Sequence, residues 1–268
     1  SDYGEAAAVE MMEADNAPSP TTLILNTLKC RDASAYLCDS LRESGVLPNA
    51  FFYSGALRSY EPFNRGIFYA QDIAAYLAVA AAEPKRGYTV LDACAAPGGK
   101  TGGAAARMRG NGIIIANEIV PKRAKLPAQN VERLGIANAA VICERPDRIA
   151  SALPEFFDIV MVDAPCSGEG MFRKDDTAIA EWSPEHVASC AERQKLILES
   201  AASCVAPGGC IVYSTCTFSR EENEGVIEDF LGKHGDFSVE HMERLYPHSS
   251  VGEGHFVCRS RREGERPT

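Results

Sequence analysis

The chain has 268 residues, a formal net charge of −10 and a pI near 5.1. Its 46% hydrophobic content can fill a large core, yet no apolar run approaches the ~20 residues of a membrane helix, and the acidic balance argues against coating nucleic acid by bulk charge. Ten cysteines without a CxxC pair or dense regular spacing read as reduced thiols in a cytoplasmic protein that holds no metal.

Residues 1–20 read as an acidic tail with neither the basic start nor the apolar core of a signal peptide. "TTLILNTLK" (21–29) is β-rich, and "DASAYLCDSLRESG" (32–45) has the spacing of an amphipathic helix stopped by Gly45. An aromatic, turn-rich stretch follows. "YAQDIAAYLAVAAAE" (69–83) is a helix ended by Pro84, which closes a small α+β region over 21–84.

From residue 85 onward strands and helices alternate. "YTVLDACAAPGGKT" is a strand and a glycine-rich turn, and "KTGGAAARM" opens a helix. "GIIIANE" (112–118), "AAVIC" (139–143), "FDIVMVDAP" (157–165) and "GGCIVYST" (208–215) are strands; the run Ile113-Ile114-Ile115 suits burial on both faces. Helices are predicted over 121–135, perturbed by Pro127, over 184–205, and over 219–232 with an acidic first turn. The last stretch, from "FSVEHMERLYP" to "HFVCRSRR", suggests two strands around a loop. The prediction is an α/β class, with a doubly wound, mostly parallel sheet over 85–268 that ends in an antiparallel C-terminal edge.

Ligands of such sheets bind beyond the carboxyl ends of the strands. The unusual residues cluster there: Cys94 to Lys100, Glu118, Asp163 to Gly168, and Thr215-Cys216-Thr217. Gly98 and Gly99 allow close backbone approach to a ligand. Glu118, at the end of the second strand, is placed to accept hydrogen bonds from ribose hydroxyls. Spacing alone leaves NAD and S-adenosylmethionine open. The two cysteines favour the second. A thiolate that adds to carbon 6 of cytosine makes carbon 5 nucleophilic toward a methyl sulfonium, and a base must then remove the carbon 5 proton so that the thiol can leave. Cys166, Cys216 and Asp163 can supply a nucleophile, a proton-transfer partner and an acid near ring nitrogen 3.

The stretches "LDACAAPGGKT" (91–101), "VDAPCSGEGMFRKD" (162–175), "EWSPEHV" (181–187), "PGGCIVYSTCTFSREENE" (207–224) and "LYPHSSVGEGHFVCR" (245–259) resemble the NSUN-type RNA (cytosine-5) methyltransferases, in particular the bacterial RsmF-like branch. The resemblance covers nearly the whole chain after residue 20. It implies a Rossmann-like methyltransferase sheet and S-adenosyl-L-methionine as cofactor. Cys216 would be the nucleophile, Cys166 the release cysteine, and Asp163 a contact to the cytosine edge or to the cofactor. The cofactor loop would be Cys94, Ala95, Ala96, Pro97, Gly98, Gly99 and Lys100, with Glu118 on the ribose, and Lys100, Arg173 and Lys174 would meet phosphate or carboxylate. The partner would be RNA, ribosomal by resemblance, with transfer RNA also open. Nothing in the pattern sets an oligomeric state, and a monomer is assumed.

Three departures qualify the match. Arg145 stands where the family has an acid near the adenine, flanked by Glu144 and Asp147. Leu23-Ile24-Leu25-Asn26 lacks an arginine usual in that stretch. The C-terminal RNA-binding domain typical of the branch does not follow "CRSRREGERPT": either the chain is a truncated piece, or RNA capture would rely on a partner or on the small N-terminal part. Two other readings stand beside the enzyme: a non-catalytic RNA-binding factor that kept the fold, and a DNA methyltransferase, against which "STCT" weighs.

Overall fold

A computed structural model describes residues 5–16, 21–249 and 251–265. Glu5–Asp15, within the acidic stretch, form helix α1; the segment is alanine-rich, which favours helix, and Met11 is buried. Four short strands, β1 (Thr21–Leu25), β2 (Leu41–Glu43), β3 (Ala50–Tyr53) and β4 (Phe68–Ala70), make an antiparallel sheet in the order β2-β3-β1-β4. Leu23, Leu25, Leu41, Phe51 and Phe68 form its core.

The helix expected over 32–45 is not there. Ser34–Tyr36 make a single 3-10 turn, and Leu41–Glu43 are β2. The Asp32 carboxylate accepts from the Ser34 backbone N–H at 2.9 Å and from the Ser34 hydroxyl at 2.8 Å. Such local bonding competes with a helix ladder. The apolar spacing instead delivers Ala33 and Leu41 to the small β core.

Helix α2 (Glu61–Asn64) precedes β4, and α3 (Ile73–Ala82) follows it, with the Asp72 side chain accepting from the Ala74 N–H at its N-cap. The large sheet contains β5 (Thr89–Asp92), β6 (Ile113–Asn117), β7 (Ala139–Ile142), β8 (Phe157–Asp163), β9 (Val205–Thr215), β10 (Phe237–Leu245) and β11 (His255–Arg262). Its order is β10-β11-β9-β8-β5-β6-β7, parallel from β9 to β7, with β11 antiparallel to both neighbours. This is the expected α/β class with its antiparallel C-terminal edge.

Helices α4 (Gly99–Arg107) and α5 (Pro121–Leu134) join α3 on one face, where Ala78, Ala104, Met108 and Leu134 meet Ile114, Met161 and Val212. On the other face, α6 (Pro146–Ala152), α8 (Pro184–Cys204) and α9 (Glu224–Lys233) bring Ile149, Leu198 and Phe230 onto Val160, Val162 and Tyr213. The short α7 (Asp176–Glu181) lies before α8. Alternate residues of β8 and β9 thus serve opposite cores, as strands buried on both faces must. The Ile113-Ile114-Ile115 run obeys this only in part: Ile114 is fully buried, but Ile113, the first residue of β6, is 48% exposed. Among the described residues no helix is long and apolar enough to cross a membrane.

The small sheet docks on α5 through backbone contacts. Asn26, in the stretch that lacks the expected arginine, is buried and donates from Nδ2 to the carbonyls of Gly66 and Leu134, both at 2.9 Å. Arg133 donates to the Phe63 carbonyl at 2.6 Å and lies 4.5 Å from the Phe63 ring centre. Gly66 has φ +71°, and a Cβ there would sit 2.1 Å from the Arg133 carbonyl oxygen. Replacing Asn26 with Ala leaves two buried carbonyls without a donor; the expected loss is about 2 kcal/mol, read from urea unfolding at unchanged m.

Candidate active site

The carboxyl ends of β5 to β9 open onto a cavity of about 910 Å³. A volume of this order holds a nucleoside-sized ligand with room for a second group. Each strand contributes to its wall: Cys94 and Ala96 after β5, Glu118 after β6, Arg145 and Asp147 after β7, Asp163 and Cys166 from β8 onward, and Cys216 after β9. Helix α8 adds Arg193, Leu196 and Ile197.

The loop after β5 is held from below. Asp92 is fully buried and its Oδ2 accepts from the Thr101 hydroxyl at 2.6 Å, while Oδ1 has no partner. Burial raises its carboxyl to a pKa of about 6, against the pull of Thr101 and Lys100. Burial, with Asp163, Asp92 and Glu118 nearby, also drives the Cys94 thiol upward. The Ala95 N–H donates to the Asn117 carbonyl at 2.7 Å, and Asn130 donates to the Pro97 carbonyl at 2.7 Å.

Gly98 has φ +110°, and its missing Cβ would meet Pro127 Cα at 3.2 Å. A Cβ on Gly99 would meet Gln71 at 3.2 Å. Both glycines therefore serve close packing of the protein on itself. Of the predicted cofactor loop, Cys94 and Ala96 line the cavity, Ala95, Gly98 and Lys100 are buried, and Pro97 is exposed.

Glu118 is buried, its Oε1 accepting from the Val120 N–H at 3.0 Å and its Oε2 lying 3.5 Å from Arg123. Before it, Asn117 clamps three strand ends: its amide donates to the carbonyls of Ala93 at 3.2 Å and Glu144 at 3.0 Å, and its Oδ1 accepts from the Glu144 N–H. Arg145 is exposed, and its guanidinium donates twice to Asp147, at 3.0 and 3.1 Å. That carboxylate neutralises the cation at the place expected for an acid.

Lys100 reaches Asp163, with Nζ 2.6 Å from Oδ2, and the Ser214 hydroxyl donates to Oδ1 at 2.9 Å. Burial raises the Asp163 carboxyl, but Lys100, His255 and Ser214 overcome it, and the group is held below the ordinary range. Asp163, expected near the cytosine edge or the cofactor, is thus held ionised at the cavity wall by Lys100 and Ser214. Arg173 and Lys174, expected to meet a ligand's phosphate or carboxylate, are bound within the protein. Arg173 pairs with Glu253 at 2.5 Å, and Lys174 with Glu253 at 2.7 Å and Asp72 at 3.3 Å.

The two cysteines lie together. Cys166 and Cys216 are free thiols with sulfurs 3.2 Å apart, and the Cys216 N–H points at the Cys166 sulfur at 3.3 Å. The hydrogen bond with Cys216, reinforced by burial, pushes the Cys166 thiol well above its ordinary value. Behind them is a buried carboxyl. Glu222 Oε2 accepts from the Ser167 N–H at 3.0 Å and from the Gln194 amide at 2.7 Å. Burial raises its pKa. Asn223 completes the support, accepting from the Thr215 hydroxyl at 2.6 Å and donating to the Thr217 carbonyl at 3.0 Å.

Sequence reasoning missed Glu222, Gln194 and His255. Glu222 passed for part of an acidic helix start, and α9 begins only at Glu224. His255 is buried with Nε2 unpartnered; burial and Lys100 depress it to a pKa of about 4 against Asp163 and Asp72. No local pattern marks it, because its surroundings come from distant segments. Among the described residues no His, Cys, Asp and Glu group could hold a metal ion.

The strand order and the cavity at the strand ends define a Rossmann-like fold. The chain belongs to the 16S rRNA methyltransferase RsmB/F family, whose model matches residues 79–260. It is 42% identical over 185 residues to ribosomal RNA small subunit methyltransferase F of Serratia proteamaculans, covering 68% of this chain and 39% of that protein. It is 39% identical over 216 residues to the protein of the same name from Escherichia coli O7:K1, covering 74% and 45%. The chain thus spans less than half the length of these relatives. Among solved structures, a methyltransferase homolog protein from Pyrococcus horikoshii superposes with a TM-score of 0.81 at 28% identity, over 95% of this chain and 90% of that one. NSun6 from the same organism, solved with SFG, shares the fold at a TM-score of 0.87 and 20% identity, over 98% and 96%.

Two outcomes follow from this geometry. Diamide should close a Cys166–Cys216 disulfide before any other pair, because sulfur contact already exists; peptide mapping reads the link, and Cys166→Ser should prevent it. The second concerns acid stability. His255, depressed from 6.5 to about 4, stabilises the fold above pH 6.5 and loses that contribution as pH falls toward 4. Asp92, raised from 3.8 to about 6, stabilises below pH 3.8 and loses its contribution as pH rises toward 6. The two offset each other between pH 4 and 6. His255→Gln should make stability fall across that window as pH rises, and Asp92→Asn should make it rise, each by up to about 3 kcal/mol in urea titrations.

Proposed function

We propose that this chain carries the catalytic domain of an S-adenosylmethionine-dependent enzyme that methylates carbon 5 of a cytidine in RNA, with 16S ribosomal RNA as the substrate. The observation that carries the reading is the sulfur contact of Cys166 and Cys216 on the wall of one cavity with Glu118 and Asp163. A structural role for paired thiols would not require that both face a cavity of this size. The family match and the relatives' names support a ribosomal RNA substrate.

The walls fit the cofactor. Glu118 offers a buried carboxylate to ribose hydroxyls, Pro146 and Ile197 offer apolar surface to a purine, and Asp147 offers an acceptor to its amino group. When bound, S-adenosylmethionine supplies the electrophilic methyl group. The chain's own residues do the rest. Cys216 gives up its thiol proton to solvent, the thiolate bonds to carbon 6 of the cytosine, and the electron pair of the 5,6 double bond becomes available at carbon 5. After methylation, the carbon 5 proton passes to a base, the double bond re-forms, and Cys216 leaves as thiolate. Cys166 serves that release. Its sulfur touches the one that must depart, which puts it within reach of the adduct. Asp163, ionised against Lys100 and Ser214, accepts from the cytosine amino group or from an ammonium.

The test uses tritiated S-adenosylmethionine and 16S ribosomal RNA lacking the modification. Cys216→Ala should cut labelling by at least about a thousandfold while cofactor binding persists. Cys166→Ala should accumulate an RNA–protein adduct that survives a denaturing gel. Full activity in Cys216→Ala would sink the role assignment. Absence of both labelling and calorimetric cofactor binding would favour a non-catalytic RNA-binding chain.

A further inference from the structure

A second cleft, of about 280 Å³, opens beside the Cys216 loop and is walled by Trp182, Val187, Phe218 and Arg220, with Glu169 and Glu221. Trp182 is the chain's sole tryptophan and is 41% exposed. It is not loosely placed. Glu169 Oε1 accepts from the indole N–H at 2.8 Å, while Oε2 accepts from the Phe218 N–H at 2.9 Å and the Thr217 hydroxyl at 3.1 Å. One carboxylate thus fixes the indole to the loop that carries Cys216. The indole's only donor is spent on that task. What the cleft offers is ring surface.

More ring surface continues from there. Phe218 packs on Tyr246 with centroids 5.8 Å apart and planes 34° from parallel, and Tyr246 packs on His248 at 5.5 Å and 31°. Phe218 lies two residues after Cys216. Arg220 and Glu221 are exposed at the rim. Flat aromatic faces with a cation at the edge suit an unpaired nucleobase and its phosphate. A rim carboxylate can accept from the amino group on a base edge.

We propose that this cleft holds the base of a nucleotide adjacent to the target cytidine, stacked against Trp182 and Phe218, with its phosphate at Arg220. The inference rests on the RNA reading above and narrows it to the strand around the target. Turning a base out of its stack costs a few kcal/mol, and capture of its neighbour offsets part of that cost. The acidic net charge makes such a local grip more necessary, since bulk attraction to phosphate is weak.

The experiment is a titration of the 268-residue chain with a fluorescein-labelled single-stranded RNA oligonucleotide containing one cytidine, following Trp182 fluorescence and RNA anisotropy together. Saturable quenching is expected, in step with the anisotropy. An abasic residue in place of the flanking base, with the phosphate kept, should weaken binding by about tenfold and remove most of the quenching. Trp182→Ala and Arg220→Gln should raise KM for ribosomal RNA about tenfold with kcat within a few-fold, and Trp182→Phe should recover most of the loss. Anisotropy without quenching, insensitivity to the abasic residue, or an unchanged KM in Trp182→Ala overturns the proposal, as does absence of RNA binding. Quenching with abasic sensitivity but no methyl transfer would sink the catalytic reading and leave the cleft. Methyl transfer with a silent Trp182 would do the reverse.

Discussion

The site depends on the parallel pairing of β8 with β9. Asp163 faces Ser214 in register, and the two strands end at the same level. Their loops therefore start side by side, and two cysteines 50 positions apart in the chain reach sulfur contact. The register cannot slip cheaply. Val160 and Val162 of β8, with Ile211 and Tyr213 of β9, fill one core, while Ile159, Met161, Cys210 and Val212 fill the other. A shift of one residue would send every one of these side chains to the wrong face.

Register brings the loops together, and buried polar groups give them shape. Glu222 ties the Ser167 backbone to Gln194 of α8, and the Tyr213 hydroxyl donates to the Glu222 carbonyl at 2.6 Å. Gly170 donates to the Cys216 carbonyl at 2.9 Å, an approach that a Cβ would block because it would lie 2.5 Å from the Gly254 carbonyl oxygen. Polar groups in a low-dielectric setting hold strongly when satisfied and penalise any rearrangement that orphans them. The cysteines thus rest on a scaffold of hydrogen bonds that apolar packing alone would not orient.

Much of this was legible because it is periodic or terminal. Apolar runs that stop at Asp92, Asn117 and Asp163 announce strands, and small residues with a cysteine past two strand ends announce loops at a common edge. What was not legible depends on partners remote in sequence. Residues 32–45 carry helical spacing, but a small antiparallel sheet needed Leu41 more than a helix did. Gly98 and Gly99 signal close approach, and the sequence does not say whether ligand, Pro127 or Gln71 approaches. Arg173 and Lys174 read as cations available to a ligand until Glu253, about 80 residues on, is brought against them. Glu222 sits among other acids, and only its burial distinguishes it.

The C-terminal hairpin has a further consequence. β11 pairs with β9 from Phe256 opposite Thr215 to Arg261 opposite Cys210, so the strand that presents Cys216 lies inside the sheet. During synthesis the partner on that side leaves the ribosome after every other described strand of the sheet. Until then β9 is a bare edge, and His255 is absent from beside Lys100 and Asp163. The order of strands in space, set against their order in time, delays assembly of the surroundings of Cys216 until β11 has paired with β9.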